Sequence, residues 1–117
     1  MARYGPDIDG WWIAIDGRLG GIPLPEDALS ELPLRLQNGA FRLGTDEGRI
    51  VLNGHVRPTS LDLILTRGPN RGRVVPAIYD LNEGGLRLCC DLSGASRPDA
   101  FTAPSGTRRF LICYRRT

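Results

Sequence analysis

Short runs of alternating apolar and polar residues recur along this chain, and most of them end in a turn signal. Residues 61–66 alternate until an arginine-flanked turn at 67–72, and Asn38-Gly39 separates two further runs. Successive strand side chains point to opposite faces, so the alternation predicts half-buried strands. Asn-Gly predicts a tight hairpin because both residues tolerate a positive φ. The spacing contains no strand–helix–strand units and therefore favours an all-β antiparallel barrel or sandwich.

About eight strands and one short helix are expected within a single domain of residues 1–117. The helix is predicted at residues 25–32, where Pro25 suits the first turn and Glu26 and Asp27 complement the helix dipole. Pro76 inside a strand predicts an edge position or a bulge. The predicted strands cover residues 10–16, 33–37, 40–44, 49–52, 61–66, 73–81, 86–92 and 109–115, and a short one is considered around Phe101.

The basic residues narrow the chemistry, because all 15 are arginine and the only histidine is His55. Without lysine the chain can form no lysine Schiff base with a substrate, and it lacks the lysine of a nucleotide-binding P-loop. A single histidine excludes a zinc site with several histidine ligands. It also excludes a Ser-His-Asp triad, unless His55 is the base of that triad. We expect no cofactor and no metal, and we interpret His55 as a solvated loop residue. The arginines are spread along the chain and the net charge is +2, so no nucleic-acid partner is expected.

Three cysteines and a polar N-terminus point to a cytoplasmic protein. Cys89 and Cys90 are adjacent and would face opposite ways on a strand, so we expect all three thiols to be reduced. The first residues contain no apolar stretch typical of a secretion signal. The longest uninterrupted apolar run, residues 11–15, is far below the ~18 residues of a membrane helix, so no membrane partner is expected.

Several short motifs follow one another in a fixed order. They are Gly10-Trp11-Trp12, the turn at 66–73, Ile78-Tyr79-Asp80-Leu81, Leu86-Arg87-Leu88-Cys89 and Arg97-Pro98-Asp99-Ala100-Phe101. These motifs and their order resemble those of a bacterial lipocalin-like domain family, which is abundant in planctomycetes and largely uncharacterised. The resemblance runs from residue 10 to about 116 and implies a lipocalin-like barrel, but it implies little about function. The chain departs from the family pattern in its second tryptophan, Trp11, its short connection at 53–60, its arginines in place of lysines and its lack of a secretion signal.

In lipocalin-like barrels the tryptophan of the G-x-W motif plugs one end and an arginine near the chain's end packs across its ring. The resemblance therefore implies that Trp12 pairs with Arg115 or Arg116, a stacking contact of about 0.5–2 kcal/mol.

The apolar residues of each predicted strand share one parity and would line the interior. Eight strands is the size at which a barrel interior either fills itself or leaves a cavity, and the sequence leaves both outcomes open. The residues expected to line a ligand site are Trp12, Leu34, Phe41, Leu63, Tyr79, Leu88, Cys90, Ile112 and Tyr114.

A few polar side chains are candidates for chemistry. Tyr79 and Tyr114 could donate a hydrogen bond to a ligand carbonyl, and Arg87 could polarise one, which makes these three the weak catalytic candidates. Asp62 and Arg87 interrupt apolar strands with the opposite parity to the leucines, so the simplest interpretation is an exposed cross-strand ion pair.

Three functions are compatible with these features. The first is a binding module that holds an apolar small molecule inside the barrel. The second is a cofactor-free cyclase or isomerase of secondary metabolism that shapes a flexible substrate, where orientation supplies ~7–11 kcal/mol. The third is a filled-core interaction domain that recognises a protein through the loops at 67–73 or 93–106.

Overall fold

The computed structural model describes residues 8–82 and 84–117. These residues form nine strands and one short helix. The strands are β1 Gly10–Leu19, β2 Ile22–Pro23, β3 Leu34–Gln37, β4 Ala40–Leu43, β5 Asp46–Asn53, β6 Thr59–Arg67, β7 Val74–Asn82, β8 Gly85–Asp91 and β9 Arg109–Arg116, and the helix α1 spans Glu26–Leu29.

Eight of the strands close into an antiparallel barrel. From β3 to β9 each strand pairs with the next one along the chain, and β1 closes the ring by pairing with both β3 and β9. The ninth strand, β2, pairs only with Arg18 and Leu19 at the end of β1, in a region predicted as a glycine-rich link. The prediction of an all-β fold of about eight antiparallel strands with one short helix is confirmed.

The β3–β4 hairpin forms as Asn-Gly predicts. Asn38 has φ of 51° and Gly39 has φ of 81°, the left-handed conformation that both positions of a type I′ turn require. The turn fixes the register Gln37 opposite Ala40 and Leu36 opposite Phe41, which directs Leu36 and Phe41 into the barrel.

The helix is shorter than the predicted 25–32. It ends at Leu29, and the next two backbone bonds, from Glu31 to Ala28 and from Leu32 to Leu29, span three residues rather than four. This tightened turn precedes Pro33, whose ring disfavours helical geometry at the residue before it.

Two local predictions have different outcomes. The prediction of a short strand around Phe101 is wrong, because Phe101 lies in an irregular segment.

Pro76 of β7 lies opposite Asp62 of β6, whereas the pairing of β7 with β8 begins only at Ala77. Pro76 therefore lies where β7 is paired on one side, and its missing N–H removes no bond to β8.

Side chains at alternating strand positions fill the interior of the barrel. On β1 the alternation shows which face of the strand points inward. Trp12 and Ala14 are buried, whereas Trp11, Ile13 and Ile15 are exposed. The register of β1 against β9 slips between Ala14 and Asp16, so that Ile15 forms a bulge.

One side of β1 forms a seam in the barrel wall. β1 pairs with β3 only over residues 10–12 and with β2 only at residues 18–19. Within the described chain, no strand pairs with residues 13–16 on that side.

A long connection, residues 93–106, lies across the outside of β6, β7 and β8. Arg97 donates to the carbonyl oxygens of Leu61 and Ala77, both at 2.9 Å, and the Cys89 thiol donates to the Thr102 carbonyl at 3.4 Å. Ile78 and Cys89 are buried beneath it on the outer face. The segment is thus part of the folded wall.

Candidate functional site

One end of the barrel, where β1 begins, is sealed by Trp12. Arg116 stacks on its ring at 4.2 Å, and the indole N–H donates to the Ile8 carbonyl at 3.0 Å. Arg116 also donates to the Asp9 carbonyl at 2.7 Å, which holds the guanidinium over the ring. The partner of Trp12 is thus Arg116 rather than Arg115, and we call this end the closed end.

The lumen next to the closed end is almost entirely occupied by side chains. Only about 20 Å³ of space remains there, room for about one water molecule. Its lining contains four of the predicted ligand residues, Leu34, Leu63, Tyr79 and Leu88. This half of the barrel is packed core.

The opposite end opens into a cavity of about 250 Å³ that we call the mouth. Three predicted ligand residues, Phe41, Leu63 and Cys90, lie on its floor. The remaining apolar lining comes from strand ends and flanking turns: Leu32, Leu43, Leu65, Val75, Leu92 and Phe110. The mouth is slightly smaller than the ~300–1,000 Å³ of sites for drug-sized ligands, so it suits a smaller molecule.

The rim of the mouth carries four polar side chains. Asn70 donates to Asp46 Oδ2 at 3.3 Å, while Asp46 Oδ1 is buried without a hydrogen-bond partner in the described structure. Arg73 donates to the Leu92 carbonyl at 2.6 Å, and the Leu92 N–H donates to the Arg108 carbonyl at 3.0 Å. The Arg73 guanidinium and the Arg108 backbone therefore both bind Leu92, on one side of the opening.

Three of the predicted ligand residues, Trp12, Ile112 and Tyr114, line neither the mouth nor the small closed-end cavity. Each is about 1 % exposed. The Tyr114 hydroxyl donates to the Leu32 carbonyl at 3.1 Å and ties β9 to the segment before β3. Burial raises the pKa of this phenol well above its ordinary value.

The thiol of Cys90 faces the mouth but is held in its protonated form. Burial among apolar side chains raises its pKa to about 12, and the neighbouring Cys89 and Asp91 add to the effect. Since the thiolate is the nucleophile, Cys90 contributes to the floor as a small apolar group at neutral pH.

The structure does not bring the three catalytic candidates together. Tyr79 and Tyr114 belong to the interior, whereas Arg87 lies on the outer face, where it binds Asp80 at 3.0 and 2.5 Å and stacks on Phe101 at 4.2 Å. These contacts with Asp80 raise the pKa of Arg87 further.

The ion pair considered between Asp62 and Arg87 does not form. Strand β7 separates β6 from β8, and Asp62 instead pairs with Arg97 at 2.6 Å. The cross-strand partner of Arg87 is Asp80 on β7.

A second concavity, an open groove of about 510 Å³, runs along the outside of the barrel between the β5–β6 connection and Arg97. Its walls carry Arg57, Asp62 and Asp99 beside Val51 and Val56. His55 is exposed in the neighbouring connection, as expected for a solvated loop residue.

The sequence reasoning missed most of the mouth. Leu65, Val75 and Phe110 have the inward parity of their strands, so the alternation could have included them. Arg73 and Arg108 carry no such signal, because their position depends on which turns meet at the same end of the barrel. The two arginines look like ordinary turn residues in the sequence.

Within residues 8–82 and 84–117, no three histidine, cysteine or acidic side chains are gathered so as to hold a metal ion. No helix in the described part of the chain has the length and apolarity that a membrane crossing needs. Comparison with protein-family models, with curated proteins and with solved structures finds no match to this chain.

Proposed function

We propose that this protein is a binding module that holds a small apolar molecule in the mouth of its barrel. The observation that carries the proposal is the mouth itself, a cavity of about 250 Å³ whose apolar floor is continuous with the core. Concave, mainly apolar sites with a few polar groups at the edge are typical of small-molecule binding. The filled closed end limits the ligand to the mouth.

We also propose that the chain belongs to the lipocalin-like family that its motifs resemble, and that it works in the cytoplasm. The closed eight-stranded barrel and the Arg116–Trp12 stack support the first proposal. The free thiols of the three cysteines support the second.

A pair of leucine variants at opposite ends of the lumen tests the binding proposal. Leu43 lines the mouth and Leu52 lines the small cavity at the closed end, and both are half-buried. A tryptophan at position 43 would fill the mouth. We expect Leu43→Trp to lose at least tenfold in affinity for 1-octanol, whereas Leu52→Trp retains it.

Binding is followed by ¹H–¹⁵N NMR titration, which also shows whether each variant is folded. In the unmodified protein the shifted resonances should belong to Leu65, Val75 and Phe110. Shifts confined to the outer groove near Val51 and Val56, or equal affinities for the two variants, would contradict the mouth as the site.

A further inference from the structure

The mouth combines an apolar floor with uncompensated positive charge at one side of its rim. Both Arg73 and Arg108 line the cavity, and neither forms an ion pair within the described structure. Four other arginines do pair with an acid: Arg42, Arg87, Arg97 and Arg109. The arginines at the rim are thus available to an anion from outside.

Asp91, the residue before Leu92, is not free to neutralise them. Asp91 Oδ1 accepts from the Ser93 hydroxyl at 2.6 Å and from the Ser93 N–H at 2.9 Å. Asp91 Oδ2 accepts from the Ser96 N–H at 3.2 Å and lies 3.7 Å from Arg109. This carboxylate is therefore occupied by the segment that follows it.

The positions of the two arginines suit recognition of a carboxylate. The Arg73 guanidinium is held by its 2.6 Å bond to Leu92, and Arg108 is joined to the same residue through the backbone. A guanidinium held in place, as that of Arg73 is, loses less entropy when it binds, and arginine–carboxylate hydrogen bonds are among the strong ones. An anion at these arginines would have the apolar floor beside it.

The remaining charge at the rim favours one negative charge over two. Asp46 also lines the mouth, on the β5 side, with Oδ2 bonded to Asn70 and Oδ1 buried. Two arginines and one carboxylate give the charged side chains around the opening a net charge of +1, which one monoanion balances. The cavity of about 250 Å³ is smaller than the sites of drug-sized ligands, which favours a short chain or a single ring as the apolar part.

We propose that the ligand is a small amphipathic carboxylate whose head binds Arg73 and Arg108 and whose apolar part enters the mouth. This inference rests on the proposed function, because it assigns the ligand class of the same site.

Four ligands that each contain eight carbon atoms separate the inference from the proposed function. Calorimetric or NMR titration uses octanoate, 1-octanol, octylammonium and octyl phosphate. We expect octanoate to bind about tenfold more tightly than octanol, since hydrogen bonds to charged groups are the stronger ones, and octylammonium to bind more weakly than octanol. Added salt should weaken octanoate binding and leave octanol binding unchanged.

Arginine variants locate the head group. Arg73→Gln and Arg108→Gln should each reduce octanoate affinity by more than they reduce octanol affinity, so that the advantage of octanoate over octanol narrows. Arg71→Gln is the matched control, because Arg71 is an exposed arginine of the same turn that does not line the mouth. Its octanoate affinity should change by less than about twofold, as expected for a solvent-exposed charge.

The outcomes are distinguishable. Equal affinities for octanoate and octanol would overturn the carboxylate assignment and leave the apolar site in place. Tighter binding of octyl phosphate would overturn the assignment of a monoanion. An equal loss in Arg71→Gln would show a general basic surface and overturn the role of the two rim arginines. Absence of binding by all four compounds would overturn the proposed function itself.

Discussion

The hydroxyl of Tyr114 is engaged within the protein, since it donates to the Leu32 carbonyl at 3.1 Å in a buried site. Tyr114→Phe keeps the ring and removes the donor, which leaves the Leu32 oxygen short of a partner. We expect the free energy of unfolding to fall by about 1 kcal/mol in urea denaturation, with octanol affinity unchanged. Full stability together with lost octanol binding would contradict this structural role.

Asp91 makes the stability of the fold dependent on pH. Hydrogen bonds from the Ser93 hydroxyl, supported by the Ser93 and Ser96 N–H groups and by Arg109, hold the pKa of Asp91 below its ordinary value. A lowered pKa in the folded state stabilises the protein above the unfolded-state value, about 3.9, and this contribution is lost as the pH falls through the folded-state value.

We therefore expect Asp91→Asn to be less stable than the wild type at pH 7, with the difference shrinking as the pH is lowered below about 4. Urea denaturation at a series of pH values measures it. Ser93→Ala keeps the carboxylate and removes its main donor, so the acid-induced loss of stability should begin at higher pH. A difference between Asp91→Asn and the wild type that is independent of pH would exclude this linkage.

At the scale of elements, Gly48 is what lets β5 approach β6 and β4 closely. The register of β5 against β6 slips between Glu47 and Gly48, and a Cβ at position 48 would overlap the Ile64 carbonyl oxygen and press on the Phe41 ring. The backbone carbonyl cannot move aside without breaking the pairing.

Gly48→Ala should therefore lower the free energy of unfolding by about 2–3 kcal/mol in urea denaturation. Gly54→Ala is the matched control on the connection after β5, because a Cβ there meets nothing within 4 Å. We expect it to change stability by less than about 0.5 kcal/mol. Similar losses in both variants would mean that close packing at Gly48 is not the cause.

The alternating pattern was sufficient to predict most strands, because a half-buried antiparallel strand keeps the two-residue period along its length. It fails where that period breaks. The bulge at Ile15 shifts the inward position from Ala14 to Gly17, and β2 has only two residues, too few for any period. Phe101 was considered for a strand, but its ring packs against Arg87 on the outer face.

At the scale of the whole molecule, the barrel has two unlike ends, and the sequence predicted only one of them. The resemblance carried by Gly10-Trp11-Trp12 implied a plugged end, because in lipocalin-like barrels an arginine near the chain's end covers this tryptophan. The mouth depends on how far the packed core extends and on which turns meet at the other end. Both follow from strand register around the full ring, which no local pattern encodes. The rim arginines were therefore not predicted.

The seam between β1 and β3 bears on how copies of this protein behave toward each other. A strand edge without a strand partner, with Ile13 and Ile15 40 % and 53 % exposed beside it, is the kind of feature that favours pairing between chains. The bulge at Ile15 twists this edge out of the flat geometry that intermolecular strand pairing needs. We therefore expect the irregularity in β1 to oppose strand pairing between copies of this protein.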